Sequence, residues 1–389
     1  MMKKTFIALA LASVTASTGV MAKTNVYKTD KASVDIYGSV RLIYESKESS
    51  IDGDNYVSDH LTLHDAGSRF GFKALRNLEN GLYAKGQLET RLDGYDTGTR
   101  GTDNWGDFMI KRGWVGLGSS KYGEIRFGRQ YTVIDSLRGA SSHLTLSIVP
   151  LYLNKWGKEV TRYDYKYGKN WTFSANYNLS DARNGVTDSY DGQTCYEHYG
   201  CVDSEYVAGA LYRHQGAAFN IAIGHKEMAS DADNNQDGHE NAIMLATSYT
   251  FENGLKLGFD AGFKHGEDSS YKGVGATATS SGSHTSYYQY DKADAFYVSP
   301  GISINLGNKE NKIYGNYVYE KYDVSGSDDS LDSVKSNGVL AGISHDLEYR
   351  KIVVFFEGSY VEADQNFTGT TTDNTVKNKS INLGMRYYF

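Results

Sequence analysis

The sequence predicts an all-β protein: a 16-stranded antiparallel transmembrane β-barrel, which crosses a membrane with strands rather than helices. Three observations predict it. Only 2 of 389 residues are Pro, against 42 Gly and 32 Tyr, where an ordinary soluble domain carries about 5% Pro. Proline cannot donate to a strand ladder, so its scarcity suits a chain made almost wholly of paired strands. Apolar and polar residues alternate through runs of about ten residues, the dyad repeat of a membrane barrel. Short and long connections also alternate along the chain, as they do where turns gather on one side of a barrel and loops on the other.

The N-terminus reads as a secretory signal peptide over residues 1–22. Lys3 and Lys4 supply the positive start, Phe6 to Ala16 the apolar stretch, and Val20-Met21-Ala22 a small-residue cleavage site. The barrel is then residues 23–389. Beyond Ala22 no apolar run reaches the length a membrane helix requires. Losing Lys3 and Lys4 takes the net charge from −7 to −9, a balance that excludes nucleic acid as a partner, since that calls for a basic footprint. Export places Cys195 and Cys201 in an oxidising compartment, and a disulfide closing a small surface loop is the expectation. Metal binding is the alternative there, although two Cys and His198 leave the ligand set incomplete.

The strands are read near 34–46, 60–75, 82–93, 107–118, 122–130, 159–168, 170–180 and 205–214 in the first half. The second half supplies 217–228, 240–251, 254–266, 293–306, 311–322, 337–347, 350–362 and 379–389. In the first, Val40 and Leu42 outward put Arg41 inward; in the second, Phe70 and Phe72 do the same for Arg69. Lys85, Gln87, Glu89 and Arg91 share the face opposite Leu82, Leu88 and Leu92. Ile110 and Trp114 outward leave Lys111 inward, in preference to Arg112. Trp171, Phe173, Ala175, Tyr177 and Leu179 alternate with Thr172, Ser174, Asn176 and Asn178. Ile243, Leu245, Tyr249 and Phe251 alternate with Ala242, Met244, Ala246 and Ser248. The last strand is the clearest, with Ile381, Leu383, Met385, Tyr387 and Phe389 on one face and Asn382, Gly384, Arg386 and Tyr388 on the other.

An even count puts both termini on the short-turn side and lets the first and last strands pair. Closure is required, because an open edge in hydrocarbon leaves backbone groups unpaired. Sixteen strands leave a lumen wider than side chains can fill, hence an aqueous channel. Residues 144–153, Leu-Thr-Leu-Ser-Ile-Val-Pro-Leu-Tyr-Leu, read either as loop or as a further strand.

At this point the sequence resembles the general diffusion porins of Gram-negative bacteria over essentially the whole mature chain. Val34-Asp35-Ile36-Tyr37-Gly38 is similar to the family's opening strand. Ser68 to Lys73 followed by Asn80 to Glu89 resembles its second hairpin, and Val115-Gly116-Leu117 through Tyr122 to Tyr131 its fourth and fifth strands. Arg386-Tyr387-Tyr388-Phe389 resembles the C-terminal signature, Tyr387 and Phe389 above all, that the barrel-assembly machinery reads. The resemblance implies a homotrimer in outer-membrane lipid and lipopolysaccharide, passing ions and small hydrophilic solutes without a cofactor.

It also implies that the third external loop, from after Tyr131 to about Gly157, folds inward and narrows the pore opposite basic wall residues. By position Arg69 and Lys111 match that wall, while Ser39 stands where a basic residue is frequent. The expected pore lining is therefore Arg41, Arg69, Lys85, Glu89, Arg91, Lys111 and Arg126 from the wall, with Arg138, Tyr152, Lys155 and Trp156 from the loop. The family's acidic loop segment has no counterpart: residues 136–158 contain no Asp or Glu. Charged rings tune pore selectivity, so a less cation-selective channel is expected.

Four other readings stand beside this one. Asp233, Asn235 and Asp237 with Gly238 match half of a calcium loop, but Met244 stands where its closing Glu belongs. Tyr152 and Trp156 suit stacking on sugar rings as well as packing, which leaves an oligosaccharide-preferring channel open. A surface receptor or adhesin is compatible with a pore. An enzyme is the last competitor; His60 and His64 flank Asp65, yet no nucleophile with a base and its orienting partner is recognisable.

Overall fold

The computed structural model describes residues 23–52, 54–93, 107–140, 144–179, 202–228, 238–271, 288–307, 310–326, 331–348, 351–367 and 374–389. The signal-peptide segment 1–22, the Cys195–Cys201 pair and the Asp233, Asn235, Asp237 cluster lie outside these residues. Among the described residues no helix is long and apolar enough to cross a membrane.

Strands β1 to β18 run through Lys23–Lys28, Ala32–Ile51, Asp54–Asp65, Arg69–Asn77, Leu82–Asp93, Asp107–Ser119, Gly123–Tyr131, Trp156–Tyr167 and Trp171–Leu179. They continue with Val202–His214, Ala217–Met228, His239–Thr250, Leu255–Tyr271, Tyr288–Leu306, Asn311–Ser325, Leu331–Leu347, Ile352–Phe367 and Asn374–Tyr388. Consecutive strands pair antiparallel except β3 and β4, which both pair with β2, and β18 closes on β2 from Val376 opposite Ile51 to Tyr388 opposite Ser39. The result is a closed 16-stranded barrel, because β3 and β4 form one broken stave on one side of β2 and β1 continues the line of β18 on the other.

That break divides what reads in sequence as one strand over 60–75. The Asp65 carboxylate accepts the amides of Gly67 (2.6 Å) and Ser68 (2.9 Å), and Gly67 adopts φ +93°, a conformation that suits glycine. The turn takes these amides out of the ladder. A second departure is β1, which the alternation did not predict. It pairs with β2 from Lys23 opposite Tyr37 to Lys28 opposite Ser33, covering the part of the β2 edge that β18 leaves unpaired beyond its C-terminus. Several strands also run further than the apolar alternation indicates: β14 begins at Tyr288, β16 at Leu331 and β18 at Asn374. Backbone pairing there continues past the membrane-facing residues. Residues 144–153 contain no strand.

Short turns close one end. Gln215 (φ 42°) and Gly216 (φ 84°) join β10 to β11, the doubly positive pair that a type I′ hairpin demands. The outer skin is apolar, as membrane insertion requires: Val115 is 66% exposed, and Ile381, Leu383, Met385 and Tyr387 are between 45% and 55% exposed. The interior is half dry. Val207, Ala222, Ala242, Met244, Ala246, Tyr297 and Tyr322 face inward and form one cluster with Val133, Ile134, Leu137, Tyr152 and Leu153 of the connection after β7. The core of this barrel is thus a sandwich of one loop and one wall.

Candidate functional site

The loop between β7 and β8, described over residues 132–140 and 144–155, folds into the barrel. It leaves the wall through a capped 3₁₀ turn in which Thr132 Oγ1 accepts the Ile134 amide at 3.2 Å. Thr132 Oγ1 also donates to the Asn154 carbonyl at 2.6 Å, tying the two arms at their root. The outgoing arm crosses β9 and β11, where Val133 N donates to Asn176 Oδ1 (3.2 Å) and Asn220 donates to the Ser136 carbonyl (3.2 Å). It then reaches β13, where both Asp260 oxygens accept backbone amides, from Gly139 at 2.5 Å and Ala140 at 3.1 Å.

Two wall glycines make this approach feasible. A Cβ on Gly258 would strike the Gly139 carbonyl, and one on Gly301 the Ala140 carbonyl. The loop backbone lies flat against the sheet there, as only residues without side chains allow.

The far end of the loop is anchored on β17. Glu357 accepts the Leu144 amide, the Thr145 amide (2.8 Å) and hydroxyl (2.6 Å), and the Leu146 amide (3.1 Å), and Tyr314 OH donates to it at 2.7 Å. From β2, Arg41 Nη1 donates to the Leu144 carbonyl at 2.8 Å and Nε to the Ala66 carbonyl at 2.5 Å. The returning arm packs Leu146 and Ile148 on Tyr314, Val318, Leu340 and Val361. Tyr152 OH then donates to Glu320 at 3.1 Å, and the Asn154 amide to Glu205 at 2.8 Å. Burial, and then the Glu320 carboxylate, push the Tyr152 hydroxyl well above its usual range, so it remains a donor. One pattern recurs at all four anchors: a buried wall carboxylate receives donors from the loop. Such bonds are charge-assisted and stronger than neutral ones.

The wall that continues from β18 through β2 to β6 is basic. Arg386 on β18 is the register partner of Arg41 on β2, Ser39 of Arg69, and Arg69 of Arg91. One row further on, Glu89 pairs with Arg112. Glu89 is fully buried; it accepts Tyr37 OH at 2.8 Å and lies 3.8 Å from Arg69 Nη1 and 3.7 Å from Arg112 Nε.

Arg112 and Lys111 both face inward, which corrects the choice between them. A bulge opposite Glu89 and Thr90 makes Lys111 the extra residue, and it shifts the alternation so that Trp114 also turns inward. Trp114 Nε1 donates to Gln87 at 3.2 Å, contrary to its expected outward position.

The other expected residues are accounted for as follows. Lys85 pairs with Glu124, and Arg126 with Asp164 and Glu124. Arg138 is exposed and pairs with Asp135 at 2.9 Å, and Lys155 is exposed. Tyr152 is only 4% exposed, with Tyr297 and Tyr322 edge-on to it. Lys111 Nζ lies 4.2 Å and Arg129 Cζ 4.9 Å from the Trp156 ring. Packing, rather than an open sugar-stacking face, occupies both aromatics. Tyr387 and Phe389 lie outward, and the Phe389 backbone pairs with that of Gly38.

The anchors Asp260, Glu320, Glu205 and Glu357 were not singled out from the sequence. Each sits in the inward register, a legible signal, but nothing local marks which carboxylates meet the loop. Arg386 falls on the inward face of the last strand and was legible in the same way. Among the described residues no group of His, Cys, Asp and Glu is arranged to hold a metal ion.

A family model described as Gram-negative porin matches residues 8–366. A major outer membrane protein of Pasteurella multocida is 26% identical over 404 residues, covering 100% of both chains. Among solved structures, the trimer form of OmpT, an outer membrane protein of Vibrio cholerae, superposes with a TM-score of 0.60 at 14% identity. That match covers 92% of this chain and 100% of the other. An anion-selective porin from Comamonas acidovorans gives a TM-score of 0.57 at 15% identity, covering 92% and 100%.

Proposed function

This chain belongs to the Gram-negative porin family, and we propose that the outer-membrane channel it forms, a route for passive diffusion, favours small anions among the hydrophilic solutes it admits. The sorting of charge around the lumen carries this reading. On the β10–β17 wall, Glu205, Asp260, Glu320 and Glu357 lie beneath the loop and accept its donors. Arg386 on β18, Arg41 on β2, Arg69 on β4, Arg91 on β5 and Arg112 on β6 make up the neighbouring wall, with the Glu89 and Asp65 carboxylates among them. Field lines from such a wall concentrate in a narrow, low-dielectric passage and act on whatever ion enters. The fold neighbour described as anion-selective supports the same direction.

General diffusion is favoured over sugar preference because Tyr152 and Trp156 are already occupied by their neighbours. The trimer form described for the Vibrio cholerae neighbour supports a homotrimer here. Export by the 1–22 segment, insertion by the barrel-assembly machinery through Tyr387 and Phe389, and lipopolysaccharide around the outer strand ends complete the reading. The work of the protein is that of a channel rather than an enzyme. Reversal potentials across planar bilayers in a KCl gradient test the proposal. The expected sign is that of chloride preference, with conductance steps in triplets that maltooligosaccharides leave unblocked. A clear potassium preference would overturn the anion reading.

A further inference from the structure

Arginine carries a permanent charge, but one charge beside the loop tip is set by a proton. His64 stands near the end of β3, just before the turn that breaks the stave. It is the register partner of Ile43, which clusters with Ala66, Phe355 and Leu144 of the loop. The imidazole is therefore next to the point where the loop tip meets the wall. Among the described residues it is the one buried histidine; His214, His225, His239, His265 and His345 are not buried.

Both ring nitrogens of His64 meet oxygen acceptors. Nδ1 lies 3.0 Å from the Asp65 carbonyl and Nε2 3.0 Å from Glu45 Oε2. A neutral imidazole carries one N–H, enough for one of these contacts, whereas the imidazolium donates to both. A proton on Glu45 shared with Nε2 would give the same total charge. The pair as a unit thus holds one proton more than a carboxylate beside a neutral ring.

Charged groups stand on every element around this pair. On β2, Lys47 Nζ lies 3.2 Å from Glu45 Oε2, and Arg41 holds the Ala66 and Leu144 carbonyls. The Asp65 carboxylate receives the Gly67 and Ser68 amides. On β17, Glu357 receives the amides of Thr145 and Leu146. The side-chain amide of Asn382, on β18, bridges the pair and the loop: it lies 3.2 Å from Glu45 Oε1 and 2.9 Å from the Thr145 hydroxyl. Histidine is the side chain that ordinarily changes charge between pH 5 and 8.

We propose that the His64–Glu45 pair makes the ion selectivity of this channel depend on pH. With its proton, the pair places an imidazolium and Lys47 against one carboxylate beside the loop tip; without it, Lys47 alone faces that carboxylate. Deprotonation therefore removes one positive charge from the passage. A unit charge ~10 Å from an ion in water changes that ion's population roughly twofold, in opposite senses for chloride and potassium. The permeability ratio should then move roughly fourfold at low salt, where screening is weak. Chloride is favoured most on the acid side, and the preference falls as pH rises. This goes beyond the anion reading, which concerns the sign of the selectivity and not its change with pH.

The test is the reversal potential of the full-length trimer in planar bilayers, in a gradient of dilute KCl, from about pH 5.5 to about pH 8.5. The expected result is a roughly fourfold fall in the chloride-to-potassium ratio, following a single proton. His64→Gln should make the ratio flat over this range. His225→Gln, two residues beyond Ile223 on the outer skin, should behave as the parent. Heat-dependent gel mobility shows that each variant retains its barrel. A flat profile in the parent channel would overturn the role of the pair whether or not the variants fold, and a steady chloride preference in that result upholds the anion reading. A falling ratio, abolished in His64→Gln, in a channel that prefers potassium at every pH would overturn the anion reading and uphold the pair. The same slope in folded His64→Gln would overturn the assignment to His64.

Discussion

Removing the Glu357 anchor should release the tip of the inward loop and widen the channel without unfolding the barrel. Four donors of the loop converge on this carboxylate, from Leu144, Thr145 (amide and hydroxyl) and Leu146. In Glu357→Gln one oxygen remains, and the new amide NH₂ points at donors. With the amide oxygen in the Oε2 position the Leu144 bond is lost and the bonds from Thr145 and Leu146 become neutral ones, where a hydrogen bond to a charged group contributes about 1.5–3 kcal/mol net and a neutral one about 0.5–1.5. About 1.5 kcal/mol for the lost bond and about 0.5 kcal/mol for each of the three weakened ones gives about 3 kcal/mol, a roughly hundredfold shift from docked toward undocked tip. The outgoing and returning arms keep Asp260, Glu320 and Glu205, so the displacement is confined to the tip. Residue 357 keeps its backbone pairing with Asn382 and Gly342, so the sheet is untouched. The assay is single-channel recording: mean conductance and low-frequency current noise should both rise, while heat-dependent gel mobility stays that of the parent. An unchanged conductance and an unchanged noise spectrum in a folded trimer would refute the claim that Glu357 holds the loop across the lumen.

The remaining predictions concern the wall, the skin and the close approach of loop and sheet. Gly301→Val should push the Ala140 segment off β14 and raise current noise, whereas Gly358→Ala, whose Cβ would meet its nearest atom at 3.9 Å, should not. Arg69→Gln with Arg112→Gln should move the reversal potential in a KCl gradient toward potassium, and no movement would count against these residues as the source of the field. Val115→Arg, on the apolar skin, should destabilise the barrel by about 2–4 kcal/mol if the residue sits near the bilayer midplane, read as a lower urea midpoint for the protein refolded into vesicles.

Much of the wall was legible because its period is two. Once one residue of a strand faces lipid, every second residue is placed, and Arg41, Arg69, Glu89 and Arg91 follow. The same logic misplaced Trp114, because a single extra residue at Lys111 inverts the faces beyond it, and nothing in the local sequence marks that bulge. The stave over 60–75 failed similarly: the Asp65 turn that splits it is made by side-chain acceptance of two amides, which propensity does not encode. A face of Ala222, Ala242, Met244 and Ala246 in strands otherwise polar inside was a visible sign that something apolar seats there.

What the sequence determined by itself is a closed barrel with a greasy skin, since alternation and the ban on open edges in hydrocarbon are properties of each strand and its neighbour. The tertiary structure alone decided what seats against the apolar half of the interior, and which acids hold the loop. It also decided which arginines gather on the wall from β18 to β6. Those outcomes depend on where the described parts of the connection between β7 and β8 come to rest against strands more than two hundred positions away. Contacts of that range are set by the shape of the closed cylinder, and no repeat in the chain records them.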